Sequence, residues 1–489
     1  MDGMPIDHRA AARVRGLLEQ AGYTVDGVRQ LLGPVAGAAL ARDEIVPALR
    51  AARGGTPAET LLRLFWLQVP VPASALPFDD MVALGLVERS GDEVRALVHV
   101  EPVESPRETG RRAGDSAPAP SACGYVVSDL KARPGGVRLR PDHVVGQGGA
   151  SGSLAQLVVH RSVDNLLDLG TGSGVQAVHL AGRAGRITAT DVNSRALDLA
   201  GLSFALSGID AELLAGSLFE PVEDRTFDLI VSNPPFVISP DRRFSYRESG
   251  LPGDELCRRL VRQAPQHLAD DGWCQLLANW LHIEGADWQE RIADWIEGVD
   301  GWVVQRDVQD PAEYAELWLR DSCEVGSPEY RSRYDAWLDH FESRKVTGIG
   351  FGWITLHRSG GENVRVEELR HAVDQPVGAY VHDIVRARPE ITPGTTLRTA
   401  AGVVQEQIGP PGAEDPERIV LRQAHGLRRA AQVGTVEAAL AGACDGDLPL
   451  GPLLEAIAQL TGADPAPVRT RALEVLPDLI ADGFFDIIG

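Results

Sequence analysis

The chain has 489 residues, 44% of them hydrophobic, with 69 acidic side chains against 47 basic ones and a net charge of −22. That length suggests about three domains with room for a sizeable core, and the acidity counts against a protein that draws its affinity mainly from nucleic-acid phosphates. Cys123, Cys257, Cys274, Cys323 and Cys444 make no C-x-x-C and no Cys/His cluster, so no metal is expected and a reducing compartment fits; without a basic-then-apolar start or an apolar run near about eighteen residues, a soluble, cytoplasmic protein with no membrane partner is expected.

The first part, 1–103, carries the apolar run Leu61–Leu67, then Met81–Leu86 and the alternating Glu93–Val100, which predict helices followed by a small β wing. Residues 104–122 are rich in Arg, Glu, Ser, Ala and Pro without apolar periodicity and read as a flexible linker. Residues 124–140 are expected to lead into the next domain as strands.

Val163–Leu169 is a short apolar run bearing Asp168, and helical spacing follows from Val175 to Arg183. Between them lies Asp168-Leu-Gly-Thr-Gly-Ser-Gly174, a strand–turn–helix junction. Gly170, Gly172 and Gly174 fall at alternate positions, and Val175 stands where the dinucleotide fingerprint needs its last glycine, so no pyrophosphate cradle is read here. Glycines flanking Thr171 let a cofactor approach the backbone. A carboxylate at Asp168 suits a cationic sulfonium with an amino acid group, which points to S-adenosyl-L-methionine.

A second strand, Arg186–Thr190, leads to Asp191, the candidate ribose ligand. A strand-end Asp also caps helices; Asn193, a further cofactor candidate, and Ser194 can serve as that cap. The third strand, 210–214, precedes Gly216-Ser217-Leu218-Phe219, where Ser217 and the Leu218 amide are candidates for the adenine and an ordinary turn is the alternative.

The fourth strand, Phe227–Ser232, ends in Asn233-Pro234-Pro235-Phe236. An amide or exocyclic amine attacks poorly because its lone pair is delocalised. The Asn233 side-chain oxygen and the Pro234 carbonyl are two acceptors for its N–H bonds; prolines at 234 and 235 fix φ and offer no donor. Phe236 can stack on the planar target. Arg242, Arg243 and Arg247 with Phe244 and Tyr246 form either a solvated loop or a substrate lid. Next come a helix over 254–268, a turn at Asp271-Gly272, a fifth strand over 273–278, and a last strand over 348–357 that runs antiparallel and takes a neighbour from 302–306.

The final part, 359–489, reads as mostly helical, with 448–460, 472–481 and 483–485 suggesting a winged-helix-like module. Arg422, Arg428 and Arg429, with His425 among them, form either a small positive cluster or an ordinary helix face.

Residues 143–356 resemble the small-domain class I methyltransferases, which include release-factor glutamine N5-methyltransferases and ribosomal RNA guanine-N2 and adenine-N6 methyltransferases. The flanking strings His143-Val-Val-Gly-Gln-Gly-Gly149 and Arg247-Glu-Ser-Gly-Leu-Pro-Gly-Asp254 look most like a three-part actinobacterial branch of it. The resemblance implies an α/β, Rossmann-like core over 123–358 with a seven-stranded sheet. It implies cofactor positions at Asp168, Gly170, Gly172, Asp191 and 216–218, and a target site at Asn233–Phe236. Because glutamine amides and base amines share this turn, a macromolecular partner, protein or RNA, is expected, with free DNA disfavoured by charge. A DNA adenine or small-molecule N-methyltransferase and a non-catalytic cofactor-binding scaffold are the alternatives. Oligomeric state is not legible in the sequence.

Overall fold

From residue 149 onward, short aliphatic runs alternate with helical segments, a pattern that builds a largely parallel sheet covered by helices. The computed structural model describes residues 6–105, 123–131, 140–241, 246–248, 250–321, 327–385, 390–411 and 416–488. Its central sheet has eight strands: β1 (Val163–Leu169), β2 (Ala184–Asp191), β3 (Ala211–Ala215), β4 (Phe227–Ser232), β5 (Leu268–Ile283), β6 (Asp300–Gln309), β7 (Val346–His357) and β8 (Val364–Glu368). They lie in the order β8-β6-β7-β5-β4-β1-β2-β3. β7 pairs antiparallel with both neighbours and every other pairing is parallel.

Helices α1 (Gly149–Leu157), α2 (Val175–Leu180), α3 (Ser194–Ser207) and α4 (Glu255–Gln263) cover the sheet. Two more, α5 (Pro311–Asp321) and α6 (Tyr330–Glu342), are inserted between β6 and β7. Leu166, Leu167, Ile230, Val231 and Leu276 on the central strands are all fully enclosed, as both-face coverage requires. Strand order reverses between β1 and β4, so a crevice opens beyond their carboxyl ends, where open α/β sheets bind ligands.

β1 and β4 coincide with the expected runs, and β7 has the expected direction. Two features differ. The turn expected at Asp271-Gly272 is an irregularity inside β5, whose register to β4 jumps between Leu268 and Trp273. Asp271 adopts φ 59° there, and a Cβ on Gly272 would lie 2.7 Å from the Ala269 carbonyl, so the strand bulges there and continues. The sheet also runs past residue 358, because β8 joins its edge alongside β6 and makes an eighth strand.

The amino-terminal helices, among them His8–Gln20 and Val25–Leu40, precede a three-stranded sheet of Val71–Pro72, Val87–Ser90 and Glu93–Ala96. Val14, Leu18 and Phe65 share one apolar cluster with Leu199, Leu202 and Leu206 of α3, which seats this part on the central domain. His99–Glu104 then pairs antiparallel with Cys123–Ser128. The expected linker between them falls, from 106 to 122, outside the described residues.

The carboxy-terminal part contains the expected helices Leu450–Thr461 and Pro465–Ala481 but is not mostly helical. It adds two three-stranded sheets, one of Val403–Ile408, Arg418–Gln423 and Ala430–Val433, the other of Thr396–Thr399, Asp445–Pro449 and Phe485–Ile487. Strands such as Val-Val-Gln-Glu-Gln-Ile mix charge with aliphatic residues and owe their structure to cross-strand partners, so they leave little local signal. Arg422 lies on one of these strands and not on a helix. Arg422 pairs with Glu406, Arg428 with Asp374, and the buried Arg429 with Glu367 and Asp482, so these cations are committed to acids within the chain. No helix among the described residues is long and apolar enough to cross a membrane, and no group of three or more His, Cys, Asp or Glu among them suits a metal.

Candidate active site

The turn after β1 is held by its own side chains. Asp168 is buried, and its Oδ2 accepts from the Thr171 hydroxyl at 2.7 Å and from the Ala177 amide at 3.1 Å. Burial raises its carboxyl to about 6 against that hydrogen bonding. Gly170 and Gly172 adopt φ 71° and 56°, and a Cβ on either would meet nothing within 4 Å. Gly174, at φ 84°, serves a different purpose from the cofactor contact expected of it: a Cβ there would lie 2.7 Å from the Phe204 ring, so this glycine lets α3 pack against the start of α2.

Asp191 ends β2 with both oxygens in use, accepting from the Gly172 amide and the Asn193 amide at 2.9 Å each. Burial pushes its carboxyl upward as well. Asn193 borders the same cavity, but its polar atoms are occupied: Oδ1 caps α3 through the Arg195 amide at 3.1 Å, and Nδ2 donates to the Asp142 carbonyl at 3.1 Å. It is a cap and a tie to the 140s, as one reading of the sequence allows. Ser217 and Leu218 border the cavity after β3, with Leu218 at φ 48° and the Gly216 amide donating to the Asp191 carbonyl at 3.1 Å.

At the end of β4, Asn233 Nδ2 donates to Ser151 Oγ on α1 at 3.2 Å, while Asn233 Oδ1 is buried with no hydrogen-bond partner among the described residues. The Pro234 carbonyl already accepts from the Phe236 amide at 2.7 Å, which leaves it one lone pair. Phe236 packs among three apolar clusters and bridges to Glu248. The aromatic side chain that borders the cavity beside Asn233, Pro234 and Pro235 is Tyr246.

One cavity of about 550 Å³ joins these ends, bordered by Asp168, Gly170, Thr171, Gly172, Asp191, Ser217, Leu218 and Asn233–Pro235. Residues 143–146 form another wall. The Val144 amide donates to Asp129 at 2.9 Å, the Ser173 hydroxyl to the Val145 carbonyl at 2.8 Å, and the Gln147 amide to Glu101 at 2.7 Å. Burial lowers the pKa of His143.

The remaining wall carries Tyr246, Glu248 and Leu251. Arg242, Arg243 and Phe244 of the expected basic segment lie outside the described residues. Arg247 and Glu248 are not solvated: they are 4% and 1% exposed and pair at 3.2 Å. The Val237 amide donates to the Arg247 carbonyl at 2.8 Å, and Arg247 Nη1 donates to the Trp318 carbonyl of α5 at 3.2 Å. The fully buried Tyr314, also on α5, accepts at its hydroxyl from the Ile238 amide at 3.0 Å and from Asn279 Nδ2 at 2.9 Å. No local pattern in the sequence marks Ser151, Gln176 or Tyr314. The unusual strings at 143–149 and 247–254 were the available signal for two of these walls.

Strand order, the switch-point cavity and the alternating-glycine turn define the central domain as an open α/β sheet with a ligand crevice beyond the carboxyl ends of β1 and β4. Residues 149–282 match the family described as Methyltransferase small domain, and residues 20–97 match a domain of unknown function, DUF7059. Among curated proteins the chain is 34% identical over 139 residues to ribosomal protein uL3 glutamine methyltransferase of Bradyrhizobium diazoefficiens, covering 25% of this chain and 44% of that one. It is 36% identical over 121 residues to release factor glutamine methyltransferase of Geobacter sulfurreducens, covering 22% and 43%. It is 33% identical over 114 residues to ribosomal RNA small subunit methyltransferase C of Alcanivorax borkumensis, covering 23% and 32%. The chain thus spans less than half the length of each of these relatives.

Proposed function

We propose that this chain is an S-adenosylmethionine-dependent N-methyltransferase acting on a planar amide or exocyclic amine nitrogen of a macromolecule, a protein glutamine or a ribosomal RNA base. The observation that carries the reading is the shared cavity: the buried Asp168 and the partly buried Asp191 at one end and Asn233, with its unpartnered amide oxygen, at the other. The residues fit the cofactor. Asp168 offers negative charge to a cation, Asp191 offers acceptors to ribose hydroxyls, and Gly170 and Gly172 leave room that a side chain would fill. Ser217 and Leu218 are the proposed adenine contacts. The cofactor supplies an activated methyl group on a sulfonium.

The chain's own part is to hold the target nitrogen. Asn233 Oδ1 and the remaining lone pair of the Pro234 carbonyl take its two N–H bonds and draw the nitrogen out of conjugation. Pro235 stiffens the turn and offers no competing donor. Phe236 supports the turn from the apolar side, and Tyr246 supplies an aromatic surface on the cavity. Orientation of this kind is worth about 7–11 kcal/mol, against about 10²–10⁴-fold for a general base.

The relatives' names are divided between protein glutamine and ribosomal RNA. The net charge of −22 and the internal pairing of Arg422, Arg428 and Arg429 favour a protein target. The flanking parts, divided near 103 and 358, belong to the same proposal as recognition modules. The helix–strand–helix–helix–strand succession of Thr435–Ala443, Asp445–Pro449, Leu450–Thr461, Pro465–Ala481 and Phe485–Ile487 supports a winged-helix-like reading of the last. A cytoplasmic location accompanies a translation-related target. The test is transfer of a labelled methyl group into lysate of a strain lacking the gene, followed by separate nuclease and protease digestion. Label released by protease and retained after nuclease is expected; no macromolecular label at all would overturn the proposal.

A further inference from the structure

A carboxamide turned half a revolution about its last torsion occupies nearly the same space while exchanging its acceptor for its donors. Only its hydrogen-bond partners decide which end faces a ligand. An Asn233 that presented its NH₂ to an incoming amine would set donors against donors, so the proposed chemistry requires that the nitrogen end be held elsewhere.

The structure provides one holder. Asn233 Nδ2 donates to Ser151 Oγ at 3.2 Å, and the Ser151 backbone carbonyl accepts from Gln176 Nε2 at 2.8 Å. Ser151 is 8% exposed, on the first turns of α1, and 82 residues from Asn233 in sequence. All three residues border the cavity. Gln176 shows the same polarity as Asn233: its amide nitrogen is tied to Ser151, and its Oε1 is buried without a partner among the described residues. A buried acceptor left unpaired costs about 1–3 kcal/mol, and two such acceptors, Asn233 Oδ1 and Gln176 Oε1, belong to the two amides whose nitrogens are tied to this serine.

We infer that Ser151 is a positioning residue that fixes the Asn233 carboxamide with its oxygen available to the target nitrogen, and that Gln176 holds the Ser151 backbone in register for this. The inference rests on the proposed N-methyltransferase reading. It concerns orientation and not donor binding, so its consequences separate from those of the donor end.

The experiment compares wild type, Ser151→Ala, Ser151→Thr, Asn233→Ala and the Ser151→Ala/Asn233→Ala pair in full-length protein. Donor affinity is measured by calorimetry with S-adenosylmethionine, and turnover by the initial rate of labelled methyl incorporation into the lysate described above. Ser151→Ala is expected to bind donor as wild type does, with an unchanged KM for donor, and to lose about 2- to 10-fold in rate, the worth of one neutral hydrogen bond. Ser151→Thr, which keeps the hydroxyl, is expected to retain most of the rate. The double variant should be no slower than Asn233→Ala alone, because the serine then has nothing to orient. A wild-type rate in Ser151→Ala, or a further loss in the double variant as large as in wild type, would overturn the inference. Should Ser151→Ala melt early, Ser151→Cys carries the same comparison. Full transfer by Asn233→Ala would instead defeat the N-methyltransferase mechanism itself, a result distinct from failure of the serine.

Discussion

The two ends of the cavity are built in opposite ways. The proposed donor end is made from residues within one strand–turn–helix–strand stretch that satisfy one another: Thr171 and the Ala177 amide bind Asp168, and the Gly172 amide binds Asp191 at the tip of the next strand. The target end is assembled from four separated stretches, around 151, 233–238, 246–251 and 314–318, joined by single hydrogen bonds from Asn233, Val237, Arg247 and Ile238. A locally closed turn tolerates change elsewhere in the chain. A wall made of distant parts can vary with each part, which suits the proposed division between one donor and differing targets.

That contrast can be broken most severely at Asn233. Asn233→Ala should keep donor affinity by calorimetry while transfer falls by about 10²–10³-fold, the usual scale for removing one preorganised polar group from a reacting centre; a parallel loss of both would mean that the ends are not separable. Asp191→Ala probes the opposite side. It removes acceptor oxygens from the ribose position and should weaken donor binding by about 10- to 150-fold, the equivalent of one charge-assisted hydrogen bond. The calorimetric enthalpy should fall with it.

Tyr314→Phe tests whether the inserted helix α5 supports the catalytic turn. The substitution strands the Ile238 amide and Asn279 Nδ2 in a buried setting, which should cost about 1–3 kcal/mol of stability in denaturant unfolding and lower the transfer rate, with donor affinity unchanged. If stability falls with no change in rate, α5 is a structural insertion only.

The smallest effect concerns pH at the donor end. Asp168 is raised to about 6 by burial, so its carboxyl binds a proton more tightly when folded than when unfolded. Its contribution to folding is therefore greatest below the ordinary carboxylate range and is lost as pH rises through about 6. For the ligand-free protein, the melting temperature of wild type relative to Asp168→Asn should decline between about pH 5 and 7.5, whereas wild-type affinity for the cationic donor should improve over the same interval. A constant melting difference would exclude ionisation of Asp168 in that range.

The readability of each end follows its construction. Val163–Leu169, the glycines at 170, 172 and 174, Asp191 and the run Phe227–Ser232 were all visible as local patterns, because strand, tight turn and helix start each impose their own residue types. Even here Gly174 was visible as a glycine but not in its purpose, since the Phe204 ring that requires it lies 30 residues onward. Ser151 sits in a small-residue stretch and Tyr314 in an ordinary amphipathic helix; nothing adjacent marks either. The bulge in β5, the eighth strand and the carboxy-terminal sheets likewise depend on pairing partners that periodicity does not name.

By itself, then, the order of residues determined the α/β alternation, the alternating-glycine turn after β1 and the Asn-Pro-Pro turn after β4, because these rest on backbone conformation and neighbours within a few positions. Only the tertiary structure decided which end of the Asn233 amide is left without a partner among the described residues, that Arg247 and Glu248 are enclosed, and that the inserted helix α5 bonds to Ile238 and Arg247. Those outcomes depend on hydrogen bonds closed between residues 70 to 80 or more positions apart, and the energy of such a contact exists only once the sheet has brought its two ends together.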